Sequence, residues 1–433
     1  MSDSIPTGDE TKNARPDSNQ SSSTLRIDGG SVAWLQVFAS WLLFMNSWGL
    51  TSTFGVFQTY YSNTLIPSSS PSAISWIGSL QAFLTMFAGV FAGILLDIGF
   101  LKHVMAIGSC LEVFGMLMTS LSTKYYQLLF AQGACVGIGS GMLLLTSLAN
   151  LSLYFERKRM IAAGIAATGS ASTGVFAPIM LKRLIENIGF KWSVRAYTLV
   201  ILTTQAVAFI VLKPRRSSKK SGQLLDLQYF KEPIYVSFIL GFTFMMAANY
   251  VPYFFIEDYA IALGVRPTIS FYLVSIMNAA SVFGRVLPSI CAYRYGSLNT
   301  LIVSTILSAV TLYCFRAVQT FTTLIVIAIA YCFASGGILF LPPIIMANLT
   351  KDPADYGTKI GMGYSIAAFG GLAGNPIAGS TLNKISLVGL STVEVQKYYE
   401  GVWIVSGTAM VLGVIAQIVM RVSWVGWKSR ARI

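Results

Sequence analysis

Charge is what this sequence has least of. Only 11% of its 433 residues are Asp, Glu, Lys or Arg, while 54% are hydrophobic. A soluble domain carries about a quarter charged residues, so an ordinary water-soluble globule is excluded. Histidine is nearly absent as well. His103 is the only one, which rules out a relay of paired histidines and any His-rich metal centre. The five cysteines (Cys110, Cys135, Cys291, Cys314 and Cys332) sit inside apolar runs without metal or disulfide spacing. They read as small packing residues. No Gly-x-x-x-x-Gly-Lys-Ser/Thr loop occurs, so direct use of ATP is excluded and no bound nucleotide is expected. With no zinc, haem or iron–sulfur pattern and no catalytic constellation, neither a cofactor nor an enzymatic activity is expected.

Long apolar runs are what the sequence has instead, and its mean hydropathy is +0.65. A bilayer supplies the solvent that such surface needs, and inside lipid every backbone amide must find an internal partner, as in helices or closed barrels. The runs are about 18–27 residues long, against about 10 for barrel strands, which selects helices. Twelve spans are predicted near 32–57, 73–96, 103–122, 125–153, 160–181, 193–212, 233–256, 268–291, 298–316, 320–347, 358–382 and 401–424. They are numbered 1 to 12 below. Residues 1–31 form a polar tail with no apolar stretch, expected to be disordered, cytosolic and retained rather than cleaved. A basic linker, 213–232, separates six-helix bundles at 32–212 and 233–424, and a short tail, 425–433, follows.

The net charge of +13 does not point to nucleic acid, because the basic residues are scattered between apolar runs rather than gathered on one face. With both termini inside, about 20 Lys and Arg fall on the cytosolic side and 9 outside, with Arg285 within a span. That bias predicts cytosolic termini and linker. The plasma membrane is the favoured location, with a vacuolar or other internal membrane as the alternative. The sequons at Asn19, Asn150 and Asn348 then lie on the cytosolic side or at a cytosolic span end, where no glycosylation is expected.

The halves also resemble each other. At an offset of 198, Gly139 meets Gly337, Pro178 meets Pro376, and Ala149-Asn150-Leu151-Ser152 meets Ala347-Asn348-Leu349-Thr350. Gly99 and Gly296 pair one residue off that register, in the loops after spans 2 and 8. A parallel repeat of six spans is the layout of the major facilitator fold, whose substrate site lies between the halves.

Particular motifs carry a closer resemblance. Asp28-Gly29-Gly30-Ser31-Val32-Ala33-Trp34 resembles a signature of the monocarboxylate porter family within the major facilitator superfamily. Asn46-Ser47-Trp48-Gly49, Gly55–Tyr61, Ile74–Gln81 and Asn278–Arg285 are similar to its fungal branch. The resemblance covers residues 28–424 and implies an alternating-access carrier. Animal members of that family place a lysine late in span 1 and an aspartate one turn before the span-8 arginine. Here the corresponding stretches hold Leu50-Thr51-Ser52-Thr53 and Ser281, so only Arg285 is retained. Transport is therefore expected to depend modestly on a proton gradient, with the proton as candidate coupling ion.

Arg285 is the sharpest single signal, because an arginine inside a bilayer costs at least about 2.5 kcal/mol. Ser275, Asn278, Ser281, Arg285 and Ser289 recur at helical spacing and form one polar stripe. A guanidinium there suits a carboxylate, although a structural arginine bound to carbonyls has the same appearance. Glu112 in span 3 is a candidate proton site, with a buried structural acid as the alternative. Asn46, Gln132, Asn249, Tyr250, Tyr253, Tyr331, Tyr364 and Asn375 are the polar and aromatic candidates for a central pocket. Any of them can equally be an interhelical hydrogen bond. Asn249-Tyr250-Val251-Pro252-Tyr253 is the densest cluster, since Pro252 frees backbone groups beside two phenols. The glycines of spans 4, 5 and 11 are expected to allow close helix approach, those of spans 5 and 11 between the halves.

The reading is a secondary or facilitative carrier, and the resemblance implies a monocarboxylate or other small organic anion as its substrate. A larger amphipathic metabolite, imported or exported, is the alternative. A transport-dead sensor is remote, because the tails are only about 30 and 9 residues long.

Overall fold

A computed structural model describes residues 29–213, 227–350, 356–382 and 391–426. The N-terminal tail up to residue 28, linker residues 214–226 and the tail beyond 426 lie outside them, as does Asn19. Among the described residues every regular element is helical and no strand occurs. Nine helices there are long and apolar enough to cross a membrane. One of the nine, Arg159–Val211, contains two passes. Gly169 packs on Trp41 and Thr173 donates to Met45 O, rising along span 1. Asn46 bonds to Thr204, and Gln36 to Val211 O, descending it. The chain therefore reverses, at Gly189, whose φ of +77° favours glycine.

Span 1 and span 11 lie outside the nine, and with them the helices are consistent with the twelve expected passes. Span 11 is Tyr356–Gly379. Span 1 is broken into Ser31–Asn46, Trp48–Ser52 and Phe54–Tyr60, then a wide turn at Tyr61–Leu65. It extends eight residues beyond its expected end, because polar Gln58, Ser62 and Asn63 face the interior cavity rather than lipid. Large apolar side chains such as Phe130, Ile210 and Val326 point outward, as a lipid-facing surface requires.

Glycine decides where helices touch. In span 4, a Cβ on Gly137 would stand 2.9 Å from Gln81 O, and on Gly141 2.6 Å from Thr85 O, so this face lies on span 2. Gly139 packs instead on Gly108 and Glu112 of span 3. The second half repeats the device: a Cβ on Gly284 of span 8 would stand 2.6 Å from Cys332 O of span 10. Between the halves, Gly164 and Gly174 of span 5 meet Ser289 and Asn278 of span 8. The expectation for span 11 needs correction. Gly370 and Gly374 press on Thr243 O and Ala247 O of span 7, within their own half. Span 11 meets the first half through Ser365, which donates to Phe87 O at 3.2 Å, and through Phe369 on Phe83.

The repeat is visible in the backbone. Gly99 and Gly296 both hold φ +98°. Asn150 is fully buried, its amide directed at Gln36 and Ser40.

Candidate functional site

Two helix breaks define the centre of the molecule. Span 1 is interrupted at Ser47 and Thr53, and span 7 at Tyr250, between Pro233–Asn249 and Val251–Ala262. Pro252 causes the second break, since it lacks the N–H that would continue the helix and crowds the preceding turn. At this break the Asn249 carbonyl accepts a hydrogen bond from Tyr331 at 2.8 Å. Broken helices at membrane depth are tolerated where they line a cavity, and this pair does so.

The cavity has a volume of about 470 Å³ and lies between the halves. It runs from the middle of the bundle to the end that carries the loops after spans 1 and 7, where its lining residues Thr59, Asn63 and Pro267 are exposed. Both walls mix apolar and polar groups. The first half supplies Trp48, Phe54, Phe83 and Met86 together with polar Thr51, Ser52, Gln58, Asn63 and Ser79. The second half supplies Asn249, Tyr250, Tyr253, Asn278, Ser281, Arg285 and Asn375 together with apolar Met246, Phe254 and Leu339. Trp48 stacks on Tyr250 at 5.5 Å, joining the walls.

Arg285 lines the cavity and also ties the halves together. Its Nη1 donates to Ala167 O at 2.5 Å and to Ser170 Oγ at 2.6 Å, both on span 5. Its Nε has no partner among the described residues. The anchoring by a carbonyl and the position on the cavity therefore occur together. Around it, Asn278 donates to Val274 O and Ser281 to Asn278 O, so these two spend hydrogen bonds on their own helix. Ser275 faces Val175 O, and Ser289 donates to Val286 O.

Other sequence candidates lie elsewhere. Asn46 is buried between spans 1 and 6, with its amide on Leu42 O and Thr204. Tyr331 braces the span-7 break and does not line the cavity. Gln132 accepts from Tyr61 at 2.5 Å, beside a wide helical stretch at Leu129–Val136. Tyr364 packs on Phe242. Glu112 is fully buried and takes a hydrogen bond from Gln205 Nε2 at 2.8 Å, between spans 3, 4 and 6 and off the cavity. Helical spacing alone cannot separate such positions, because a polar residue can meet a neighbouring helix, as Asn46 and Glu112 do, as readily as the cavity.

Sequence reasoning missed Trp48 and the cavity mouth. Trp48 carried a signal, since it sits inside the Asn46–Gly49 motif. The mouth is formed by half-buried Glu257 and exposed Asp258 on span 7. Across it, Lys182 of the first half lies 4.2 Å over the ring of Phe271.

Comparison with known proteins gives this architecture its place. The family model described as Major Facilitator Superfamily matches residues 33–297. The MFS-type transporter dbaD of Emericella nidulans is 37% identical over 94% of this chain and 90% of its own length. The aspyridones efflux protein apdF of the same species is 34% identical over 82% and 73%. The agnestins efflux protein AgnL12 of Paecilomyces divaricatus is 32% identical over 90% and 87%. The fold is also that of FucP, solved in an outward conformation, with TM-score 0.66 at 14% identity over 89% of this chain and 98% of that one. With its two halves, its central cavity and these relatives, the chain belongs to the Major Facilitator Superfamily and is a multi-pass membrane transporter.

Proposed function

We propose that the cargo is an amphipathic organic metabolite with an acidic or polar head, larger than a simple monocarboxylate. The observation that carries this reading is a cavity of about 470 Å³ that combines aromatic and thioether groups with amides, phenols and a guanidinium. That volume falls within the range of about 300–1,000 Å³ that accepts drug-sized ligands. The aromatic and thioether groups suit a flat apolar body, and the amides, phenols and guanidinium suit its oxygens. The efflux proteins among the relatives, named for aspyridones and agnestins, support the same size class and an outward direction. The motifs similar to the monocarboxylate porter branch, together with Arg285, favour an acidic head.

In this reading both termini are cytosolic at the plasma membrane, and the cavity faces outward. Transport proceeds by rocking of the two halves, with the glycine seam between spans 5 and 8 as one contact that must slide. The bundles extend over 32–212 and 233–424, joined by the basic linker. Proton coupling is modest.

A direct test uses inside-out vesicles from cells with and without the transporter. The probes are radiolabelled 2-naphthoate and radiolabelled lactate. Saturable accumulation of naphthoate, uninhibited by excess lactate, is expected. If lactate is carried and competes equally, the small monocarboxylate reading replaces this one.

A further inference from the structure

Spans 7 and 11 cross with their backbones almost in contact. A Cβ on Gly370 would lie 2.2 Å from Thr243 O, and one on Gly374 1.9 Å from Ala247 O. Asn249 stands two residues beyond Ala247, and Asn375 one beyond Gly374. The crossing therefore delivers two amides to the same region of the second half, and both line the cavity.

Neither amide is used by the fold. Asn249 is 3% exposed, and its Oδ1 has no donor. Asn375 Oδ1 is also buried without one. Unpaired buried carbonyls are destabilising and uncommon, so each requires an explanation. The other asparagines nearby show what a structural role looks like here. Asn278 bonds to Val274 O, and Asn46 to Thr204. Gln81 and Gln417 are also buried without a partner, but only Asn249 and Asn375 among these four amides line the cavity.

We propose that Asn249 and Asn375 form a subsite for a hydrogen-bond-donating group of the cargo, such as a phenolic or alcoholic hydroxyl or an amide N–H. The subsite rests on the reading of an amphipathic cargo and sharpens it. Tyr250, adjacent in sequence to Asn249, stacks with Trp48, which gives the flat body of the ligand a place beside the amides. Arg285 takes the acidic end, and the amides read a second polar group. Amide side chains both donate and accept, so a rotation of either turns its orphan oxygen into the cavity. A site built to bond a hydroxyl discriminates against an analogue that lacks it, because the amides are then left unpaired.

Equilibrium binding to the full-length transporter in lipid nanodiscs tests this with two fluorescent probes, 6-hydroxy-2-naphthoate and 6-methoxy-2-naphthoate. They share the acid and the flat body and differ in the donor. The wild type should prefer the hydroxy compound by about five- to tenfold. Asn249→Ala and Asn375→Ala should each reduce that preference, and together remove it, with the methoxy affinity held within about twofold. Retained methoxy binding certifies the fold of each variant. If Asn249→Ala fails to fold, Asn375→Ala alone carries the test, since its side chain makes no bond to lose. Equal binding of the two probes to wild type, or a preference undiminished in Asn375→Ala, overturns the subsite and leaves the amphipathic reading standing. If neither probe binds wild type, both fall.

Discussion

Trp48 of the first half and Tyr250 of the second stack at 5.5 Å with their planes 19° apart, each at the point where its helix is broken. Spans 1 and 7 are equivalent members of the repeat. The two breaks that shape the cavity are therefore joined to each other by a pair of rings, and any motion between the halves must change that contact.

An aromatic pair contributes about 0.5–1.5 kcal/mol beyond its area, which corresponds to roughly two- to tenfold in an equilibrium. Tyr250→Phe keeps the ring and should leave apparent cargo affinity within about twofold. Tyr250→Ala and Trp48→Ala should each weaken it several-fold, and the double variant should lose no more than the worse single. A transport-based double-mutant cycle checks this, and additive losses would show that the rings act independently.

Arg285 both lines the cavity and ties span 8 to span 5, and its variants separate the proposed anion role from the structural one. Arg285→Lys keeps the charge but loses the planar fork, so partial transport of an anionic cargo is expected. Arg285→Ala should lose at least about tenfold in transport at unchanged surface abundance. Ser170→Ala removes one of the two ties to span 5, and should lower thermal stability slightly while sparing transport. Normal anion transport by Arg285→Ala would remove the anion role and leave Arg285 as a strut between the halves.

Glu112 occupies a pocket of Gln205, Gly108 and Gly139, away from the cargo cavity. Glu112→Gln preserves its shape and should leave both transport and its pH profile unchanged. Glu112→Leu strands Gln205 and should cost about 1–3 kcal/mol, read as a lower melting temperature. Acid-stimulated transport that vanishes in Glu112→Gln would instead place the carboxyl in the coupling mechanism.

Neighbouring glycines of span 11 should respond in opposite ways. Gly374→Ala forces a methyl group into the Ala247 carbonyl, which cannot yield without moving span 7. Little monodisperse protein is expected on size-exclusion chromatography. Gly371 borders open space on the cavity. Its alanine variant should fold normally and alter only cargo affinity. Normal yield of Gly374→Ala would show that the crossing is looser than described.

The proposed orientation has its own check. A cysteine at Asn63, exposed at the cavity mouth, should react with a membrane-impermeant maleimide on intact cells. Labelling that requires permeabilisation would invert the topology.

The sequence by itself determined the class of molecule. Scarce charge and runs of bilayer length leave helices as the solution. The repeat, read from a few glycines and a four-residue match, reappears as the paired φ of +98° at Gly99 and Gly296. These properties are legible because they follow from composition and from local backbone chemistry. Which polar residues share one cavity was decided by tertiary structure alone. Asn46 and Asn249 look alike in sequence, each a single amide in an apolar run. One is consumed by Thr204 from a helix 158 positions away, and the other remains unpaired on the cavity wall. Arg285 reads as a buried cation from sequence, but its ties to Ala167 and Ser170 exist only because Gly164 and Gly174 let span 5 close on span 8. Helical periodicity fixes a face, and only packing against other helices decides what that face meets.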